Sequence, residues 1–204
     1  MTMSKKVYKV KLRHKIKWWL FKLNIFRYIK NYFFCLRYPF IRSRNVWTDK
    51  PCGYCHTWYD AIPYGWRKAF GKQFLKELKV ALKKEGRLKE FRFHDIKEKW
   101  GELCIYNNGV GKYSEFVINK YEILSLGYCI NCGKPVRYVT QGWVEYICEN
   151  CKNKRIEDGR YKENYQRLTK EDIPYSIRYD KNGQVKIDYK EKYNIDFIKL
   201  WDLE

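Results

Sequence analysis

Eight cysteines are present in 204 residues, and four of them form two matched pairs: Cys129-Ile130-Asn131-Cys132 and, fifteen residues later, Cys148-Glu149-Asn150-Cys151. Two thiolates separated by two residues can face one ion from a single tight turn. A second such pair, returned by an intervening hairpin, completes a tetrahedron of four soft ligands. The chemistry this spacing predicts is coordination of one Zn²⁺ by Cys129, Cys132, Cys148 and Cys151. Gly133 and Pro135 supply turn chemistry after the first pair, and Tyr138, Val139, Trp143 and Ile147 offer apolar cover along the hairpin. Four thiolates leave no coordination position for water or substrate, so the expected role of the ion is to hold structure.

Other chemistry-bearing residues form less complete sets. Cys52-Gly53-Tyr54-Cys55-His56 matches the pattern for covalent haem attachment, but the only methionines, Met1 and Met3, are poor axial ligands. Two readings remain for this segment. In one, Cys52 and Cys55 bind a second metal with one of His56, His94, Cys35 or Cys104; in the other, the segment is a turn at the entrance to a domain. His14, His56 and His94 are the only histidines. There is no Gly-rich phosphate loop, no nucleophile elbow and no histidine pair at metal spacing. Asp95 and Glu98 lie close to His94 in sequence, yet neighbouring positions on a strand point to opposite faces. A non-enzymatic protein is expected.

Charge is distributed unevenly. Of a formal net charge of +20, residues 1–50 supply 14 Lys and Arg against the single acid Asp49, interleaved with 12 aromatic residues. Cations can hold phosphates while rings stack on exposed bases, so the expected partner is nucleic acid, with RNA or single strands favoured. The candidate contacts are Lys15, Trp18, Trp19, Lys22, Arg27 and Lys30 in this arm, with Lys134 and Arg137 on the metal hairpin. The same composition suits an anionic membrane surface. A protein of this kind can also act as an adaptor or inhibitor bound to a host protein. Apolar runs in the arm are broken by Lys or Arg well short of the ~20 residues that cross a bilayer, and the paired thiols point to a reducing compartment, the cytoplasm.

The elements that position these residues follow from periodicity. Trp18, Phe21, Ile25, Tyr28, Ile29, Tyr32 and Leu36 recur at three- and four-residue spacing, predicting an amphipathic helix that ends before Pro39. Trp66, Phe70, Phe74, Leu78, Ala81 and Leu82 trace one helical face between Pro63 and Gly86. Phe91 and Phe93, then Leu103 and Ile105, alternate as two strands joined through Trp100-Gly101, where Trp100 is expected to close the hairpin while Lys97, Glu98 and Lys99 face water. Ser114 is the expected N-cap of a helix carrying Val117, Ile118, Tyr121 and Leu124. Tyr175–Tyr179 and Val185–Tyr189 flank Asn182-Gly183 as a hairpin, and Phe197, Ile198 and Trp201 suggest a docked tail. The predicted class is α+β: a basic aromatic helical arm (1–50), a helix–β-hairpin–helix unit (58–126), an appended four-cysteine zinc ribbon (127–152) and a C-terminal extension with a β-hairpin (153–204). The arm is expected to be separable from the rest.

Three segments carry a resemblance. Tyr59-Asp60-Ala61-Ile62-Pro63-Tyr64-Gly65-Trp66-Arg67-Lys68-Ala69-Phe70-Gly71, Ile96-Lys97-Glu98-Lys99-Trp100-Gly101-Glu102-Leu103, and Cys129-Ile130-Asn131-Cys132-Gly133-Lys134-Pro135 with Gly142-Trp143 occur in the order seen in an uncharacterised family of small bacteriophage and prophage proteins. The chain resembles that family over about residues 58–152. The resemblance implies a phage or prophage origin, hence the cytoplasm of a bacterial host, and the same order of helix, hairpin, helix and zinc ribbon; it implies no activity. Where family members often carry Arg after the Leu of the second segment, this chain has Cys104.

Overall fold

Trp66, Phe70, Phe74, Leu78 and Leu82 follow one another at intervals of four. An α-helix repeats every 3.6 residues, so such a row would drift by about 40° per step on a regular helix. The chain reduces the drift by widening one turn: the helix that begins at Tyr64 passes through a π turn at Arg67–Gly71 and continues to Lys84. All five side chains are buried. This rephased helix is the axis on which the metal ribbon and the N-terminal segment both pack.

The computed structural model describes residues 25–45, 47–159, 164–169, 175–179 and 185–189. Lys15, Trp18, Trp19 and Lys22 of the arm, and the C-terminal Phe197, Ile198 and Trp201, lie outside them. In chain order the elements are α1 (Ile25–Arg37), a 3-10 turn (Pro39–Ile41), α2 (Trp58–Ala61), α3 (Tyr64–Trp66), the π turn, α4 (Lys72–Lys84), β1 (Phe93–Lys99), β2 (Glu102–Asn107), α5 (Lys112–Ser125), β3 (Tyr138–Thr140), β4 (Tyr146–Ile147), α6 (Glu149–Glu157), β5 (Tyr165–Arg167), β6 (Tyr175–Tyr179) and β7 (Val185–Tyr189). The class is α+β, as expected, with α4, the β1–β2 hairpin and α5 forming the central unit.

Phe93, Ile96, Leu103 and Ile105 turn the hairpin's apolar face into the core. Val117, Ile118, Tyr121 and Leu124 of α5 meet it, and Phe74 packs edge-on against Tyr121 at 5.2 Å. The outer edge of β2 would leave amides unpaired, and α5 supplies the partners: Leu103 N–H donates to Ser125 Oγ (2.9 Å) and Ile105 N–H to Glu122 Oε1 (2.7 Å). Burial pushes the Glu122 carboxyl up to about 7, against the Ile105 N–H that favours its charge and with nearby Glu102 adding to the rise. Helix α5 starts at Lys112, so Ser114 sits inside its first turn instead of capping it. The cap comes from Glu85 at the end of α4, whose carboxylate accepts the Tyr113 and Ser114 N–H groups (2.7 and 2.9 Å) and the Ser114 hydroxyl (2.6 Å).

Two expectations change at the N-terminal side. Helix α1 ends at Arg37, before Pro39, but it docks through Asn31, Phe34 and Cys35 and leaves the predicted apolar stripe outward: Ile25, Tyr28, Ile29, Tyr32 and Leu36 are all exposed. The reason lies in what the adjoining segment offers. Asn31 Nδ2 donates to Tyr54 O (2.9 Å), Phe34 packs edge-on against Tyr59 (5.0 Å), and Arg27 pairs with Asp60 (3.5 Å). The core also reaches back across the expected division at residue 50. Tyr38, Phe40 and Ile41 are buried with Trp66 and Phe74, and Phe40 meets Phe91 and Phe93 at ring distances of 6.1 and 5.9 Å. Cys35, Tyr38, Phe40 and Ile41 thus belong to the same buried cluster as the central unit.

Candidate metal centre

The two cysteine pairs reach one point by different local routes. Cys129 and Cys132 lie in a tight turn closed by Cys129 N–H to Lys134 O (2.7 Å) and Gly133 N–H to Cys129 O (2.8 Å), with Gly133 at φ +75°. Cys148 and Cys151 come from a helix start: Cys148 is the N-cap of α6 and Cys151 lies in its first turn, where the helix dipole favours anionic sulfur. The hairpin of β3 and β4 delivers this second pair, with Tyr138 opposite Ile147 and Val139 opposite Tyr146. Strand β5 pairs with β3 on the other side, so the ribbon is three-stranded in the order β4, β3, β5. It therefore runs beyond the residue-152 boundary expected from sequence.

The four Sγ atoms all lie within 4.8 Å of one another, and Cys132 Sγ and Cys148 Sγ are 3.4 Å apart. A tetrahedron with metal–sulfur bonds of 2.3 Å has edges of about 3.8 Å, so the cluster matches a single ion. Cys129 and Cys148 are buried, and Cys132 and Cys151 are half-buried. Burial pushes the Cys129 and Cys151 thiols up. Cys132 is held down despite burial, by the Lys134 N–H and the neighbouring thiols that donate to it. Four thiolates this close cannot share a half-buried site without a cation, and the residues are placed to hold one.

The ribbon is fixed to the central unit through glycines. Gly65 N–H donates to Ile130 O (2.8 Å) and Trp66 Nε1–H to Tyr128 O (2.8 Å). A Cβ on Gly65 would lie 2.1 Å from Cys129 O, and one on Gly133 would lie 2.4 Å from Gly65 O. On the far side, a Cβ on Gly101 would meet the Tyr146 ring at 2.7 Å. The Gly65 and Gly133 segments thus meet backbone against backbone at the metal turn, while the Gly101 turn meets side chains of the β3–β4 hairpin.

Other sequence candidates fall elsewhere. Cys52 and Cys55 are exposed, and among the described residues the only group of three or more His, Cys, Asp or Glu able to hold an ion is Cys129, Cys132, Cys148 and Cys151. Their segment instead braces α1: Tyr54 packs edge-on against Tyr28 and Tyr32, each at 5.2 Å. Lys30, Lys134 and Arg137 are exposed. Trp100 closes the β1–β2 hairpin as the first residue of a two-residue turn, at φ +55° beside Gly101 at φ +80°, with its side chain 69% exposed. Trp143, expected as cover for the ribbon, is also exposed. Sequence reasoning missed a row of Lys68, Lys72 and Lys76 whose four-residue spacing was visible.

Fold and site together define an α+β protein with a four-cysteine metal ribbon. No family model, curated protein or solved structure matches the chain. No helix among the described residues is long and apolar enough to cross a membrane.

Proposed function

We propose that the chain is a phage-type, zinc-stabilised protein that binds single-stranded nucleic acid through α1 and its basic surroundings. Zinc is favoured by the ligand set: four thiolates in a closed tetrahedral site suit Zn²⁺ and give it a structural role. The observation that carries the binding reading is the inverted packing of α1. A folded chain seldom leaves a contiguous row of large apolar side chains in water unless a partner covers it. Here Phe26, Tyr28, Tyr32 and Phe33 are exposed on one helix that also presents Arg27, Lys30 and Arg37. Rings that stack on bases beside cations that meet phosphates are the elements of single-strand recognition.

The same face carries Ile25, Ile29 and Leu36, which do not stack on bases. That favours, as a second reading, an anionic membrane surface. One experiment separates the two: the intact protein is titrated into labelled single-stranded RNA, single-stranded DNA, duplex DNA and anionic vesicles. Phe33→Ala and Lys30→Glu should both weaken single-strand binding, Lys30→Glu with a shallower salt dependence. Binding to vesicles with none to nucleic acid overturns the first reading in favour of the second. Binding to neither leaves the face to a host protein.

A further inference from the structure

Next to α1, on the outer side of the rephased helix, lies a groove of about 680 Å³ lined by Tyr59, Tyr64, Arg67, Lys68, Lys72 and Lys76 with no Asp or Glu in its lining. We infer that this groove is a track for the phosphates of a single strand, resting on the nucleic-acid reading above and extending it to residues that reading does not use.

Lys68, Lys72 and Lys76 occupy one face at steps of four residues, about 6 Å apart along a helix, so the row is about 12 Å long. That is too long for one phosphate and suits a run of them. All three lysines are exposed, and none makes an ion pair or hydrogen bond among the described residues. The acids near by are already engaged: Glu77 pairs with Lys120 (2.8 Å), and Asp60 pairs with Arg27 (3.5 Å) and Arg67 (3.4 Å). Three unpaired lysines in one groove, beside an Arg67 whose charge Asp60 only shares with Arg27, leave a field that attracts an anion.

Two further features point to a ligand. Arg67 spends one guanidinium nitrogen on Asp60, while its Nε, buried, has no hydrogen-bond partner. Its remaining guanidinium edge carries positive charge at the groove lining, where a phosphate would be met by charge-assisted hydrogen bonds. Tyr64, 62% exposed, adds an open ring face at the lining, and the Tyr59 ring is held in place by Gly71, where a Cβ would approach it to 2.8 Å. The π turn that rephases the helix spans Arg67–Gly71, so the packing device of the core also forms part of the groove.

The groove adjoins both regions that sequence marked as basic. Arg67 and Arg27 share Asp60, which joins the groove to α1. Gly133 of the metal turn abuts Ala69 in the groove lining, with exposed Lys134 next in sequence. Both junctions lie at the Lys68 end of the row, from which Lys72 and Lys76 lead away along the helix.

The test is fluorescence anisotropy of a short labelled oligouridylate and its oligodeoxythymidylate counterpart across a salt series, using the full chain, a K68Q/K72Q/K76Q variant and Tyr64→Ala. Far-UV circular dichroism and metal content confirm that each variant is folded. If three phosphates meet these lysines, the triple variant should flatten the log–log salt slope by about 2. Tyr64→Ala should weaken binding about tenfold, and K68R/K72R/K76R should restore the slope. A folded triple variant that keeps the parent's slope and affinity overturns the groove while leaving nucleic-acid binding through α1 standing. Failure of the unaltered chain to bind either oligonucleotide at low salt overturns the function and the groove together.

Discussion

Gly65→Ala is a sharp test of how the ribbon is held, because two effects of opposite sign compete there. Gly65 lies in α3 with ordinary backbone angles, so helix propensity alone would make alanine stabilising by up to about 1 kcal/mol. The structure predicts the reverse. The new Cβ would stand 2.1 Å from Cys129 O and 2.5 Å from Ile130 O, both backbone atoms that no rotamer change can move aside. Relief requires the metal turn to withdraw, which lengthens Gly65 N–H to Ile130 O and the Trp66 indole bond to Tyr128 O. Overpacking costs about 1–3 kcal/mol and a weakened buried hydrogen bond about 1, which against the propensity gain leaves a net loss of roughly 1–3 kcal/mol. In a chain of this size that is a fall in melting temperature of roughly 2–12 °C. Release of metal to a chromogenic chelator should quicken as well. Gly86→Ala is the control: it introduces strain at φ +70° with nothing within 4 Å of the new Cβ, so it should lower stability without changing release. A Gly65→Ala protein that melts at or above the parent temperature with parental metal release refutes the docking.

Three other outcomes follow from the same structure. The Glu122 carboxyl titrates near 7 in the fold against an ordinary 4.5, so its stabilising contribution, about 3 kcal/mol at most, is complete below about pH 4.5 and lost as pH rises through about 7. Glu122→Gln, which can still accept the Ile105 N–H, should be more stable than the parent at about pH 8 and should show no such loss in urea denaturation; equal stability there argues against a buried neutral carboxyl. Phe40→Ala should cost about 3–5 kcal/mol in the same assay, and a chain beginning at Thr57 should fail to melt cooperatively, since both remove rings from among Phe91 and Phe93. Glu85→Ala, which strips the cap from α5, should cost about 1 kcal/mol, whereas Ser114 as a true N-cap would leave Glu85→Ala neutral.

Some of this fold could be read from residue order and some could not. The cysteine spacing and the row from Trp66 to Leu82 gave the ribbon and the central helix, because each is a local pattern whose geometry is fixed by its own turn or period. The α1 helix was equally visible, but its inward face was not: periodicity finds an apolar stripe and says nothing of whether a neighbour offers Tyr54 and Asp60 to the opposite side. Helix α6 is polar almost all round and β5 is three residues long, so neither leaves a periodic signal; both depend on the metal turn and on β3 for their place. The glycine contacts at Gly65, Gly101 and Gly133 depend on which backbones approach, a property of the assembled chain. The lysine row was legible as spacing, but its meaning rests on the absence of facing acids, which only packing decides.

The central claim is that a metal held by four thiolates organises the ribbon against which the basic surface is built. Its most direct measurement is elemental analysis of the protein purified without added metal, together with a thiol count on the native chain. About one zinc per chain is predicted, with Cys129→Ser or Cys148→Ser lowering that content and destabilising the ribbon. A native, folded protein that contains no metal and offers Cys129, Cys132, Cys148 and Cys151 as four free thiols would contradict the account.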